Sequence, residues 1–108
     1  MTAYWVYILH CENDTYYTGY TTSIHDRYRS HVNGSGKCKY TRSFKPLGLA
    51  QCWRVEGDKS LALKIERYIK KLSRTNKIAL ILEPANLCQI FPSKPADLKQ
   101  LHHELAQR

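Results

Sequence analysis

Two tyrosines, an arginine and a histidine near the start of the chain are residue types that move protons and hold anions. Tyr7 lies within Trp5-Val6-Tyr7-Ile8-Leu9, Tyr17 opens Tyr17-Thr18-Gly19, and Arg27 precedes His31 by four positions. Phenol and imidazole both give and take protons, while a guanidinium is a permanent planar cation suited to an oxyanion. A carboxylate, Glu66, is the only acid between Asp58 and Glu83 and stands among basic residues. Each of these has an ordinary alternative. Tyrosine is common in strands, Arg27 and His31 could form a solvated helix face, and Glu66 could simply pair with Lys70 one turn on.

If these groups are to meet, a hairpin and a helix must carry them. Val6, Ile8, Tyr16, Tyr17 and Tyr20 favour strands, and Glu12-Asn13-Asp14-Thr15 between them is rich in turn formers. This sets Tyr7 and Tyr17 on neighbouring strands. Thr22-Ser23, with Asp26 after it, reads as an N-cap with an acidic first turn. The helix so opened runs from about Ile24 to Val32 and places Arg27 and His31 on one face.

A Gly- and Ser-containing loop, Asn33 to Lys39, follows, then an irregular basic segment through Arg42 to Pro46. Leu47 to Val55 reads as a third strand, although its alternation is imperfect. A second helix from about Lys59 to Leu72 has Leu61, Ile65, Ile69 and Leu72 as its core stripe, and Lys64, Arg67, Lys71 and Arg74 as a basic one. A short third helix spans Lys77 to Leu82. Pro84, Pro92 and Pro95 bracket an irregular stretch from Glu83 to Lys94, and a terminal amphipathic helix covers Ala96 to Ala106. The fold expected is mixed α/β (α+β): a small, mostly antiparallel three-stranded sheet flanked by helices, in the order β-β-α-β-α-α. Residues 1–83 form the domain and 84–108 a C-terminal extension, helical from 96.

The chain has 108 residues, 43% of them apolar, which suits one soluble domain with a modest core. No apolar run approaches the roughly 20 residues needed to span a membrane. The N-terminus lacks the build of a secretion signal, so a cytoplasmic location is expected. Cys11, Cys38, Cys52 and Cys88 are scattered without a Cys-x-x-Cys pair, which argues against a zinc ribbon and points to reduced thiols. The formal net charge is +8, and residues 1–83 carry 14 of the 17 Lys and Arg against 7 of the 9 acids. With 8 Tyr and 2 Trp available to stack, this balance suits a phosphate-rich partner, or else serves only solubility.

Taken in order, Val6-Tyr7, Tyr17-Thr18-Gly19, Arg27, His31 and Glu66 resemble the GIY-YIG nuclease superfamily, most closely its small stand-alone bacterial members. The likeness extends to a Gly-rich basic loop (Gly34 to Lys39), Tyr40-Thr41, Pro46 and Ala62-x-x-x-Glu66-x-x-x-Lys70-Lys71-Leu72, and covers about residues 4 to 82. Trp5 stands where the family has the first glycine of GIY, and Thr18 where it has the isoleucine of YIG; both are non-reacting positions. Asn76, ten residues past Glu66, is near where many family nucleases carry an asparagine; capping the next helix is its rival role.

The resemblance implies hydrolysis of a nucleic-acid phosphodiester, DNA rather than RNA, with one divalent ion, Mg²⁺ or Mn²⁺, held by Glu66. It implies that Tyr7 is general base or proton relay with help from His31, that Arg27 clamps the scissile phosphate, and that Tyr17 orients water or phosphate. Lys37, Lys39, Arg42, Lys64, Arg67, Lys70, Lys71 and Arg74 are the candidate nucleic-acid contacts. A small chain with no separate recognition domain also leaves room for a protein partner that supplies targeting. Two other classes compete: a nucleic-acid binding module without turnover, and a protein adaptor presenting Leu98, Leu101 and Leu105 from the terminal helix.

Overall fold

The structure is a computed structural model that describes residues 2–34, 41 and 43–106. A first hairpin joins β1 (Tyr4–Cys11) to β2 (Tyr16–Thr21), antiparallel, with Tyr7 opposite Gly19 and Leu9 opposite Tyr17. Asp14 takes a left-handed backbone, φ 58°, in the turn between them, a conformation that Asp and Asn tolerate better than most residues. Helix α1 (Ile24–Asn33) follows, then β3 (Pro46–Val55), α2 (Lys59–Lys70), α3 (Arg74–Leu82), α4 (Ala85–Cys88), β4 (Ser93–Pro95) and α5 (Leu98–Ala106).

The sheet has four strands in the order β2-β1-β3-β4, all antiparallel, where three were expected. The fourth, Ser93–Pro95, lies in the stretch read as irregular, as does α4. It is three residues long and ends in proline. Such a segment carries no alternation to read, and a proline fits there because β4 is an edge strand. It is fixed to β3 through the pairs Trp53–Pro95, Arg54–Lys94 and Val55–Ser93. Among the described residues, no helix is long and apolar enough to cross a membrane.

Helices cover both faces of the sheet, which is why Val6, Tyr7, Ile8 and Leu9 in the inner strand β1 are all buried. On one face Val6, Ile8, Trp53 and Val55 meet Ala62, Ile65 and Ile69 of α2, with Leu80 and Leu87. On the other, Tyr7, Leu9, Cys11, Leu49 and Cys52 meet Ile24 of α1 and Leu101 of α5. Leu49 and Cys52 share a face although they are three residues apart, because a register shift between Ile8 and Leu9 reverses the alternation of β3 at that point. Trp53 Nε1 donates to the Pro84 carbonyl at 2.9 Å, fastening the chain beyond α3 to the core.

Local contacts set the helix ends and the seat of the terminal helix. Helix α3 begins at Arg74 rather than Lys77, because the Ser73 hydroxyl accepts the Asn76 N–H at 3.2 Å and caps it. Ser23 does occupy the N-cap of α1, but its hydroxyl donates to the Asp26 carboxylate, at 3.1 Å, and caps no backbone N–H. Helix α5 is held to the body by His25 Nε2 against Glu104 at 2.9 Å and His102 Nε2 against the Leu49 carbonyl at 3.1 Å. Leu101 is buried and Leu98 packs on the same cluster. The adaptor reading named Leu98, Leu101 and Leu105; Leu101 is withdrawn into the core, and Leu98 and Leu105 are half-buried. The expected contacts Lys37, Lys39 and Arg42, and with them Cys38, lie outside the described residues. Cys11 and Cys52 are buried free thiols whose pKa burial pushes up, so they behave as small hydrophobes.

Candidate active site

Tyr7 points to the α1 side of the sheet, and α1 is set so that Arg27 and His31 reach back to it. The Tyr7 hydroxyl lies 2.8 Å from His31 Nε2 and accepts from Arg27 Nε at 3.3 Å. His31 Nδ1 lies 2.8 Å from the Thr41 hydroxyl. Tyr17, from the neighbouring strand, puts its ring edge-on to the imidazole at a centroid distance of 5.2 Å. So Tyr7, Tyr17, Arg27 and His31, expected to converge, do converge. Thr41 was not foreseen as a member; its only signal in the sequence was its place beside Tyr40 in the family-like pattern.

The electrostatics of this group follow from burial. Tyr7 and His31 are each only 1% exposed, whereas Tyr17 and Arg27 are half-buried. Desolvation, and after it the Arg27 charge, bring the His31 pKa down from 6.5 to about 4. The imidazole is therefore neutral at pH 7, with one ring nitrogen free to accept. The tautomer that donates from Nδ1 to Thr41 leaves Nε2 to receive the phenolic proton of Tyr7. A neutral base, a phenol and a fixed cation in one chain of contacts can withdraw a proton from Tyr7 and steady the charge left on its oxygen.

Gly19 completes the pocket by having no side chain. A Cβ there would sit 2.5 Å from the Tyr7 hydroxyl oxygen, so the phenol occupies the space a larger residue would fill.

Glu66 comes from the other layer. It sits on α2, which packs on β1 and β2 from the face opposite α1. Its side chain is 16% exposed, and Oε1 lies 3.6 Å from Lys70 Nζ, so the expected helix-turn pair is present but long. Among the described residues no three His, Cys, Asp or Glu side chains are grouped to hold a metal ion. Lys64, Arg67 and Lys71 are exposed along α2 and just past its end. Arg74 is engaged elsewhere: its guanidinium donates to the Asp14 carbonyl and, at 2.9 Å, to the Asp14 carboxylate, and lies over the Tyr16 ring. Asn76 is exposed on the first turn of α3, its backbone N–H on the Ser73 cap.

The sequence matches the GIY-YIG catalytic domain over residues 3–79. It is 45% identical over 78 residues to a UPF0213 protein of Cupriavidus necator, spanning 72% of this chain and 83% of that one. A UPF0213 protein of Syntrophus aciditrophicus is 42% identical over 81 residues, 75% of this chain and 92% of the relative. The solution NMR structure of a UPF0213 protein from Bacillus halodurans is 39% identical, covers 73% of this chain and 82% of that one, and gives a TM-score of 0.48.

Proposed function

The chain belongs to the GIY-YIG catalytic-domain family, and on that premise we propose that it is an endonuclease hydrolysing nucleic-acid phosphodiesters, DNA in preference to RNA. The observation that carries the reading is the Tyr7 hydroxyl held by both Arg27 Nε and His31 Nε2. Tyr7 takes the proton of the attacking water as its own proton passes to His31 Nε2. The Arg27 guanidinium steadies the oxygen at that moment and, from its place in the wall of an adjoining cleft, clamps the phosphate with its planar fork. Tyr17 orients water or phosphate at the half-buried entrance. Thr41 fixes the imidazole in the tautomer the relay needs.

Magnitudes show what substrate must add. A His31 pKa near 4 makes the imidazolium roughly 3 kcal/mol costlier than for an ordinary histidine. A phosphate beside Arg27 offsets that charge and returns part of the cost.

The residues present fit a divalent ion of one kind. A lone carboxylate suits Mg²⁺ or Mn²⁺, which keep most of their waters, and does not suit zinc. Glu66 is that carboxylate, and its 3.6 Å contact with Lys70 is weak enough to yield to a cation. When bound, the ion supplies charge neutralisation at the phosphate and the leaving oxygen.

The test is cleavage of single-stranded, duplex, flapped and branched DNA, and of RNA, each with Mg²⁺, Mn²⁺ or EDTA. Cutting that EDTA abolishes supports the nuclease. Binding with no cutting on any substrate supports the non-catalytic, or partner-dependent, binding module instead.

A further inference from the structure

Beside the catalytic group, at the free edge of β2, a cleft of about 410 Å³ is lined by Tyr4, Tyr20, Thr21, Thr22, Arg27 and Lys59. Its place follows from the register. Tyr20 pairs with Val6, so Tyr4 and Tyr20 lie on the α2 face of the sheet, whereas Tyr7 lies on the other. Arg27 belongs to both sides: its Nε holds Tyr7 and its side chain forms part of the cleft wall. Lys59, the first residue of α2, closes the far end. It is exposed, and among the described residues no carboxylate pairs with it. Lys59 and Glu66 are seven residues apart, two turns along one face of α2 and about 10 Å along its axis. Two cations, two phenol rings and two threonines thus meet in a volume of ligand size, with Arg27 linking it to the Tyr7 hydroxyl.

Resting on the nuclease reading, we propose that this cleft seats one unpaired nucleotide flanking the scissile phosphate, with Lys59 on its outer phosphate and Tyr4 and Tyr20 against its base. Cationic grooves with aromatic walls are what single strands use, since an unpaired base has a face to offer. A base inside a duplex has both faces covered by its neighbours. The substrate class is accordingly nucleic acid with an unpaired nucleotide at the cut: a flap, a gap or a strand end.

The test is equilibrium binding in EDTA, by fluorescence anisotropy, of a single-stranded oligonucleotide, a flapped duplex and a blunt duplex, each as DNA and as RNA. Lys59→Ala and Thr22→Glu change exposed side chains and leave the core alone. Lys99→Ala, on α5, removes the same charge elsewhere. Lys59→Ala and Thr22→Glu should weaken single-strand and flap binding by about tenfold, Lys59→Ala also lowering the salt slope by about 0.7, the value for one phosphate contact on a single strand. Lys99→Ala should change binding less than about twofold, as a distant rim charge does. Blunt duplex should bind the unaltered protein about tenfold more weakly than the flap. Equal losses from Lys59→Ala and Lys99→Ala, or equal affinity for blunt and flapped duplex, overturn the nucleotide seat while leaving the nuclease standing. No binding by the unaltered protein to any of the probes overturns both.

Discussion

Tyr7 and Gly19 face one another across the first strand pair so closely that a methyl group on Gly19 would lie 2.5 Å from the Tyr7 hydroxyl oxygen. The hydroxyl cannot retreat cheaply, because the ring is buried and its oxygen is held by His31 and Arg27. The glycine is thus explained by where the phenol must be, with no appeal to a special backbone angle.

Gly19→Ala should therefore act on the phenol before the fold. The expected cost in stability is about 1–3 kcal/mol, as for overpacking a tight core. Cleavage should fall about a hundredfold or more, the effect of misplacing a reacting group by an ångström. Urea unfolding and single-turnover rates on the same preparation check the pair of values; full activity in a stable variant would show that Tyr7 has room to spare.

His31 ties stability to pH. The unfolded chain binds this proton near 6.5 and the folded one only near 4. Protonation therefore favours unfolding: the contribution is whole above about pH 6.5, shrinks as pH falls, and is fully lost below about 4. Between pH 7 and pH 5 the loss should be about 2 kcal/mol. Urea midpoints of the protein and of His31→Gln across that window measure it, and the variant should lack this component. Parallel curves would contradict a neutral, desolvated imidazole.

Thr18 leaves a core atom unsatisfied. Its residue is 3% exposed and its hydroxyl has no hydrogen-bond partner among the described residues. Thr18→Val removes that polar atom at nearly constant shape and should stabilise the protein by about 1 kcal/mol. A higher urea midpoint is the expected reading, and a lower one would mean that the hydroxyl does useful bonding.

What was legible in the chain and what was not divides along physical lines. Tyr7, Tyr17, Arg27 and His31 could be foreseen as neighbours because a hairpin and an i, i+4 helix pair are local geometry. The first hairpin, α1 and α2 were readable for the same reason. Strand β3 was blurred by its register shift, which puts Leu49 and Cys52 on one face against the period of two. β4 was missed because three residues ending in proline carry no pattern; tertiary pairing with β3 makes it a strand. Thr41 and the cleft around Lys59 escaped because both depend on which distant segments meet. Arg74 read as one more phosphate contact, and only the structure shows its guanidinium closing on Asp14, sixty residues earlier.

In the proposed reaction the hydroxyl of Tyr7, set between His31 and Arg27, performs the proton transfer. The most direct test is the single-turnover cleavage rate of Tyr7→Phe beside the unaltered protein, in Mg²⁺ and on the substrate cut best. Phenylalanine keeps the ring packed and deletes the one oxygen. The rate should fall about a thousandfold, within the range for a lost general base, with oligonucleotide affinity in EDTA unchanged. Cleavage at the unaltered rate would contradict the claim and move the chemistry to another residue.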